Sequence, residues 1–246
     1  MKFAGAFQLV TFDATGTLMK FRISPPEQYA IVGSMYGVEV NVKDITSNFK
    51  LNWKLLNKEH PNFGKMSGLG WEKWWYELVC RTFRASTTRN SFLEASKLDL
   101  IAQHLIKGYS SGSYYELYPH VKEVMENLQK QKIILGVLSN NDERLISVLE
   151  HLGLLSYFNF VFTSYNVGYE KPHCEIFQKA LQCSKVLPEH ALHVGNSPVL
   201  DYFAAIKCGW NAALIHQEQK DLEQYNFEIP SHLIFKNFLN LQHFLR

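Results

Sequence analysis

The sequence predicts an α/β protein: a doubly wound, Rossmann-like parallel sheet with an α-helical cap inserted after the first strand. Three observations predict it. Short, continuous apolar runs recur along the 246 residues, each ending in small or polar residues. Runs of this kind suit strands covered on both faces, as in a parallel sheet. Stretches with helical apolar spacing alternate with most of them, the pattern of βα units joined by right-handed crossovers. Finally, a segment of about 90 residues behind the first run holds helical patterns and no strand pattern.

The elements follow in order. Phe7–Phe12 (FQLVTF) is the first strand and runs at once into DATGT. The inserted segment carries helical stretches at Glu27–Tyr36, Val42–Leu56, Trp71–Phe83 and Leu93–Ile106. Val121–Gln131 places Val121, Val124, Met125 and Leu128 on one helical stripe. Ile133–Leu138 is the second strand, ending in SNND, and Phe160–Phe162 is a short third. Ala191–Val194, ending in GNS, and Ala212–Ile215 are the fourth and fifth. The helices between them are Arg144–Leu152, Glu175–Leu181 and Val199–Lys207, with Gly153 and Gly209 where a left-handed cap is favoured. A last strand, His232–Phe235, and a helix close the chain. In such sheets ligands bind beyond the carboxyl ends of the strands, where these polar clusters lie.

Composition narrows the function. Hydrophobic residues make up 46% and charged residues 20%, enough to bury a core and to exclude disorder as the dominant state. With 25 Lys+Arg against 23 Asp+Glu, the chain lacks the basic excess of a nucleic-acid binder. It has no apolar run of membrane-spanning length, and no cleavage-like segment precedes Asp13, so a soluble cytoplasmic protein is expected. Cys80, Cys174, Cys183 and Cys208 contain no C-x-x-C pair, which predicts free thiols, with neither a disulfide framework nor a sulfur-ligated zinc site. Residues 20–115 carry 13 Lys+Arg and 8 Asp+Glu, against 12 and 15 in the remainder. A basic insert and an acidic core suit a small anionic substrate and a cation-dependent site. Trp71, Trp74 and Trp75 share one helix face, the spacing of a subdomain core, and Trp53 lies in the same segment.

Four clusters carry candidate chemistry. Asp13 follows the first strand in D-A-T-G-T, where a carboxylate can act as a nucleophile and Gly16 permits a sharp turn exposing backbone N–H groups. Ser139 ends the second strand in LSNND, Lys171 stands in YEKP, and Gly195, Asn196 and Asp201 follow the fourth strand. His193 lies within that strand and is expected in the core. No histidine pair has metal-ligand spacing on a helix face, and neither G-x-G-x-x-G nor a P-loop is present.

In this order and context the four clusters resemble the haloacid dehalogenase superfamily, largely Mg²⁺-dependent phosphatases. The resemblance spans residues 7–215, with residues 1–19 and 116–246 as the α/β core and 20–115 as the cap. It implies that Asp13 attacks phosphorus, that Lys171 neutralises charge, and that Gly16, Thr17, Ser139 and Asn140 hold the phosphoryl oxygens. It places Mg²⁺ on Asp13, the Thr15 carbonyl, Asn196 and Asp201. Two positions depart from the superfamily pattern. Thr15 replaces the acid/base aspartate, and a hydroxyl cannot shuttle a proton near neutral pH. Asn196 replaces a metal-binding aspartate and removes one negative charge. The expectation is a weak Mg²⁺-dependent phosphomonoester hydrolase acting on a small phosphorylated or anionic substrate, with a weakened metal site. Two alternatives stand beside it. One is an impaired member that binds a phosphorylated ligand or a partner protein. The other is a metal-independent 2-haloacid dehalogenase, which would use a tyrosine where Thr15 stands and an arginine such as Arg22.

Overall fold

A computed structural model describes residues 7–87, 93–217 and 228–245. The chain divides into two compact units, one holding residues up to Lys20 and from Glu116 onward, the other Phe21–Tyr115.

The first unit is built on a six-stranded sheet whose pairings are all parallel. Its strands are β1 (Leu9–Phe12), β4 (Ile134–Ser139), β5 (Phe160–Thr163), β6 (Ala191–Gly195), β7 (Asn211–Ile215) and β8 (Ile234–Phe235), in the order β5-β4-β1-β6-β7-β8. Every residue of β1 and of β6 is buried, so neither strand shows polar alternation. The two faces still differ. Leu9 packs in a core with Leu138, Phe177, Trp210 and Leu214, whereas Phe12 meets the Phe238 ring at 6.2 Å. The first core belongs to α8 (Cys174–Ser184) and to the helix around Asp201, and Phe238 begins α10 (Phe238–Phe244). Helix α5 (Val121–Lys130) packs beside α10, and all four of its predicted stripe residues are buried.

Strand order decides where a site can form. The chain builds β4 and β5 on one side of β1 and then returns to lay β6, β7 and β8 on the other. The order reverses at β1, which opens a crevice at the carboxyl ends of β1, β4 and β6. Two short strands, β2 (Met19–Phe21) and β3 (Tyr115–Leu117), pair where the chain passes from one unit to the other and back.

The second unit contains α1 (Pro25–Met35), α2 (Val42–Glu59), α3 (Trp71–Ser86) and α4 (Ala95–Ser110). Helix α3 packs on α2 and α4, and α1 joins both of these. Tyr29, Ile45, Phe83 and Ile101 lie in its core. Trp74 is fully buried, touches Trp53 and Trp75 edge to face, and donates from Nε1 to the His60 carbonyl at 3.1 Å.

Three expectations are corrected. The last strand is only Ile234–Phe235, preceded by a 3₁₀ turn at Ser231–Leu233. The helix expected at Val199–Lys207 is a π-helical segment, Pro198–Phe203, continued by α9 (Ala204–Lys207). The four cysteines are not all free thiols. Cys174 and Cys208 form a disulfide with Cα atoms 5.5 Å apart, while Cys80 and Cys183 are free. The pair lies 34 residues apart and is joined by packing of α8 on α9, so no local spacing announces it. Among the described residues no helix is long and apolar enough to cross a membrane.

Candidate active site

The crevice at the carboxyl ends of β1, β4 and β6 holds a cavity of about 250 Å³. Asp13, Thr15, Ser139, Asn140, Lys171, Asn196 and Asp201 all line it, with Ser197 and Leu200. Gly16 and Thr17 lie in the turn behind Asp13.

Asp13 extends the β1 ladder, its N–H donating to the Val194 carbonyl at 2.9 Å, and the carboxylate therefore leaves the sheet edge at a fixed point. The chain then folds tightly. The Ala14 carbonyl accepts from Leu18 at 2.8 Å and Met19 at 3.1 Å, and the Gly16 N–H donates to the Met19 carbonyl at 2.7 Å. Gly16 sits at φ +87°, and a Cβ there would lie 2.6 Å from the Asn196 amide nitrogen, so only glycine fits. The Thr17 hydroxyl donates to Asn196 Oδ1 at 3.2 Å, and the Gln217 side chain donates to the Thr17 carbonyl at 3.0 Å.

Lys171 is the centre of the site. Only 2% exposed, it donates to Asp13 Oδ1 at 2.7 Å, Asp201 Oδ1 at 2.6 Å and the Leu138 carbonyl at 2.7 Å, which uses all three ammonium protons. Burial opposes its charge, but the two carboxylates outweigh burial and hold its pKa above the ordinary lysine value. Asp201 is equally enclosed. Its Oδ1 also accepts from His193 Nε2 at 3.2 Å, and its Oδ2 accepts the Ser197 N–H at 2.8 Å. Burial pushes the Asp201 carboxyl up, yet Lys171 and His193 hold it well below the usual carboxylate range. Asp13 has fewer donors: burial first and Asp201 second overcome Lys171 and raise its pKa. A Cβ on Gly195 would overlap the Asp201 carboxylate, so glycine lets that group lie against β6.

The structure assigns Asn140 work that the sequence does not reveal. Its side chain accepts from the Lys171 N–H at 2.6 Å and donates to the Lys171 carbonyl at 2.8 Å, clamping the lysine loop. This bond engages one of the two amide protons of the residue expected to hold a phosphoryl oxygen. Asp142, in the same SNND loop, is fully buried in a bidentate pair with Arg144, at 2.8 and 2.7 Å, and starts α6 (Arg144–His151).

The donor chemistry can be set against Mg²⁺, which takes hard oxygens and often only one or two carboxylates. Asp201, expected among its ligands, lines the cavity, and its oxygens also accept from Lys171, His193 and the Ser197 N–H. Asp13 accepts from Lys171 and from the Ala14 N–H, and Thr15 and Asn196 line the same cavity, with the Asn196 amide oxygen accepting from the Thr17 hydroxyl. Among the described residues no group of three His, Cys, Asp or Glu stands together as a metal site. The oxygens of Asp13, Asp201 and Asn196 fit Mg²⁺ in kind.

The profile of the haloacid dehalogenase-like hydrolases matches residues 7–209. The chain belongs to this family. It is 36% identical over 227 residues to the Rhythmically expressed gene 2 protein of Drosophila melanogaster, covering 89% of this chain and 86% of that protein. It is 32% identical over 221 residues to haloacid dehalogenase-like hydrolase domain-containing protein 3 of Xenopus laevis, covering 90% and 89%. Among solved structures, the HAD phosphatase from Thermococcus onnurineus superposes with a TM-score of 0.65 at 19% identity, over 96% of this chain and 97% of that one. A 2-haloacid dehalogenase from Pseudomonas syringae pv. Tomato DC3000 gives 0.68 at 21%, over 97% of each. Phosphatase and dehalogenase fit about equally well, so these likenesses establish the family's fold and leave the reaction to the site. His193 lies in the core as expected, and sequence reasoning assigned no role at the site to it or to Thr11, both polar residues inside buried strands.

Proposed function

We propose that this hydrolase transfers a phosphoryl group from a small phosphomonoester to Asp13 and then to water, slowly. The observation that carries the reading is the Lys171–Asp13 pair on the wall of the cavity, beside a Ser139 hydroxyl with no hydrogen bond among the described residues. An Asp13 oxygen attacks phosphorus as the ester P–O bond breaks, giving an aspartyl phosphate and an alkoxide. Water then attacks the same phosphorus, the bond to Asp13 breaks, and inorganic phosphate leaves. Negative charge builds on the phosphoryl oxygens in both steps, and donors fixed beforehand stabilise it. Lys171 supplies positive charge, and the Ser139 hydroxyl is free to donate. Asp13, the Thr15 carbonyl, Asn196 and Asp201 would hold Mg²⁺, whose contribution when bound is further neutralisation of that charge.

The missing step is proton transfer. General acid–base catalysis contributes about 10²–10⁴-fold, and Thr15 cannot provide it. The alkoxide takes its proton from water, so good leaving groups such as aryl phosphates should be preferred. A second reading, binding of a phosphorylated ligand without turnover, is favoured by the same threonine and by the complete use of the Lys171 protons. Phosphate release from a panel of phosphomonoesters, with and without Mg²⁺ and beside Asp13→Asn protein, separates the two. Release that vanishes in the variant supports hydrolysis. Equal rates from both proteins remove it and leave binding, and chloride release from 2-haloacids without metal would move the assignment to dehalogenation.

A further inference from the structure

Behind Asp201 a line of buried polar groups runs back into the sheet. Thr11 and His193 are register partners on the parallel strands β1 and β6, and both are fully buried. The Thr11 Oγ1 lies 2.9 Å from His193 Nδ1, and His193 Nε2 lies 3.2 Å from Asp201 Oδ1. The Phe177 ring meets the imidazole edge to face at 5.2 Å and closes that side. Each is the polar residue of an otherwise apolar strand, LVTF and ALHVG. Two buried polar residues cost stability unless bonded, and an apolar pair would serve the sheet alone.

The direction of the bonds follows from chemistry. An ionised Asp201 only accepts, so the imidazole must carry its proton on Nε2. In the neutral imidazole Nδ1 is then a bare acceptor, and the Thr11 hydroxyl donates to it. We propose that His193 is a positioning residue: Thr11 locks its Nε2–H tautomer, and that N–H holds Asp201 in the orientation that directs the Lys171 ammonium onto Asp13. The kinetic consequence rests on the phosphoryl-transfer reading above; the tautomer and the ammonium geometry do not.

The test uses the full chain. Two-bond ¹H–¹⁵N spectra of the imidazoles at pH 7, with His193 assigned by its loss in His193→Gln, should show the neutral Nε2–H tautomer in the wild type. Thr11→Ser should keep it, and Thr11→Val should let the tautomers mix. A slowly exchanging Lys171 ammonium signal should persist in His193→Gln, whose amide can donate in place of Nε2, and should shift or broaden in His193→Leu. In acid-quenched single turnovers with an aryl phosphate, labelling of Asp13 should fall about tenfold to hundredfold in His193→Leu, the scale of a lost hydrogen bond to a charged group. His193→Gln should recover most of it. An Nδ1–H tautomer in the wild type, or a Lys171 signal indifferent to His193→Leu, overturns the proposal. So does undiminished labelling by His193→Leu. If the wild type never labels Asp13, the hydrolase reading fails, and the spectra still decide the role of His193. Should His193→Leu not fold, Thr11→Val against Thr11→Ser carries the same comparison.

Discussion

Lys171→Met tests the electrostatic account of the site through stability, independent of any substrate. Methionine keeps most of the side-chain volume, so the change removes charge and three hydrogen bonds and opens little space. Asp13 and Asp201 are left as buried carboxylates without their shared cation. Breaking a buried ion pair costs about 3–5 kcal/mol, because the remaining charge stays desolvated. The penalty should depend on pH in a definite direction. In the wild type Asp201 titrates below its unfolded value of about 3.9, so its stabilisation is present above that pH and lost as pH falls through the folded value. Without Lys171, burial dominates both carboxyls and raises them. A raised carboxyl is tolerated when protonated and destabilises as pH rises through its folded value. The difference between variant and wild type should therefore be about 3–5 kcal/mol at pH 7.5, and shrink toward the cost of lost hydrogen bonds, about 1–2 kcal/mol, near pH 4.5. Urea unfolding followed by circular dichroism at both pH values measures it. A penalty equal at the two, or larger at the acidic one, would refute the reasoning.

Three further outcomes follow from the same geometry. Thr15→Asp restores an acid/base at the cavity wall and should raise turnover of alkyl phosphomonoesters by about 10²-fold or more, read as phosphate release; an unchanged rate would show that proton transfer is not what limits the enzyme. Reducing the Cys174–Cys208 disulfide, which closes a loop between residues 34 apart, should lower stability by about 3–4 kcal/mol in denaturant titrations. Thiol counting on the denatured, unreduced chain should then find the two free cysteines, Cys80 and Cys183. Gly195→Ala drives a methyl into the Asp201 carboxylate and should cost about 1–3 kcal/mol of stability together with Asp13 labelling, whereas a variant as stable and active as wild type would mean that Asp201 has room to move.

What the sequence reveals of this site, and what it conceals, divides along a physical line. Strands buried on both faces lose polar alternation, so their apolar runs stand out, and their ends fall where ligands bind. Asp13 and Ser139 are therefore legible at such ends, while Lys171 and Asp201 stand further along the chain and are marked by the family resemblance. Which end meets which donor is a different kind of information. Asn140 reaches the Lys171 backbone across 31 residues, Gln217 reaches Thr17 across 200, and the disulfide spans 34. These contacts are set by a strand order that reverses at β1, and local periodicity reports only which way a side chain faces. The same limit explains Asp201. Its place after β6 marks it as an acid near the site, but only the fold shows three protein donors on its two oxygens. His193 marks the boundary between the two kinds. A polar residue inside a buried strand is visible in sequence as an anomaly, and the ordinary reading is a satisfied core histidine. Its meaning emerges only when parallel pairing puts Thr11 in register beside it, since that partner is what gives the imidazole a direction.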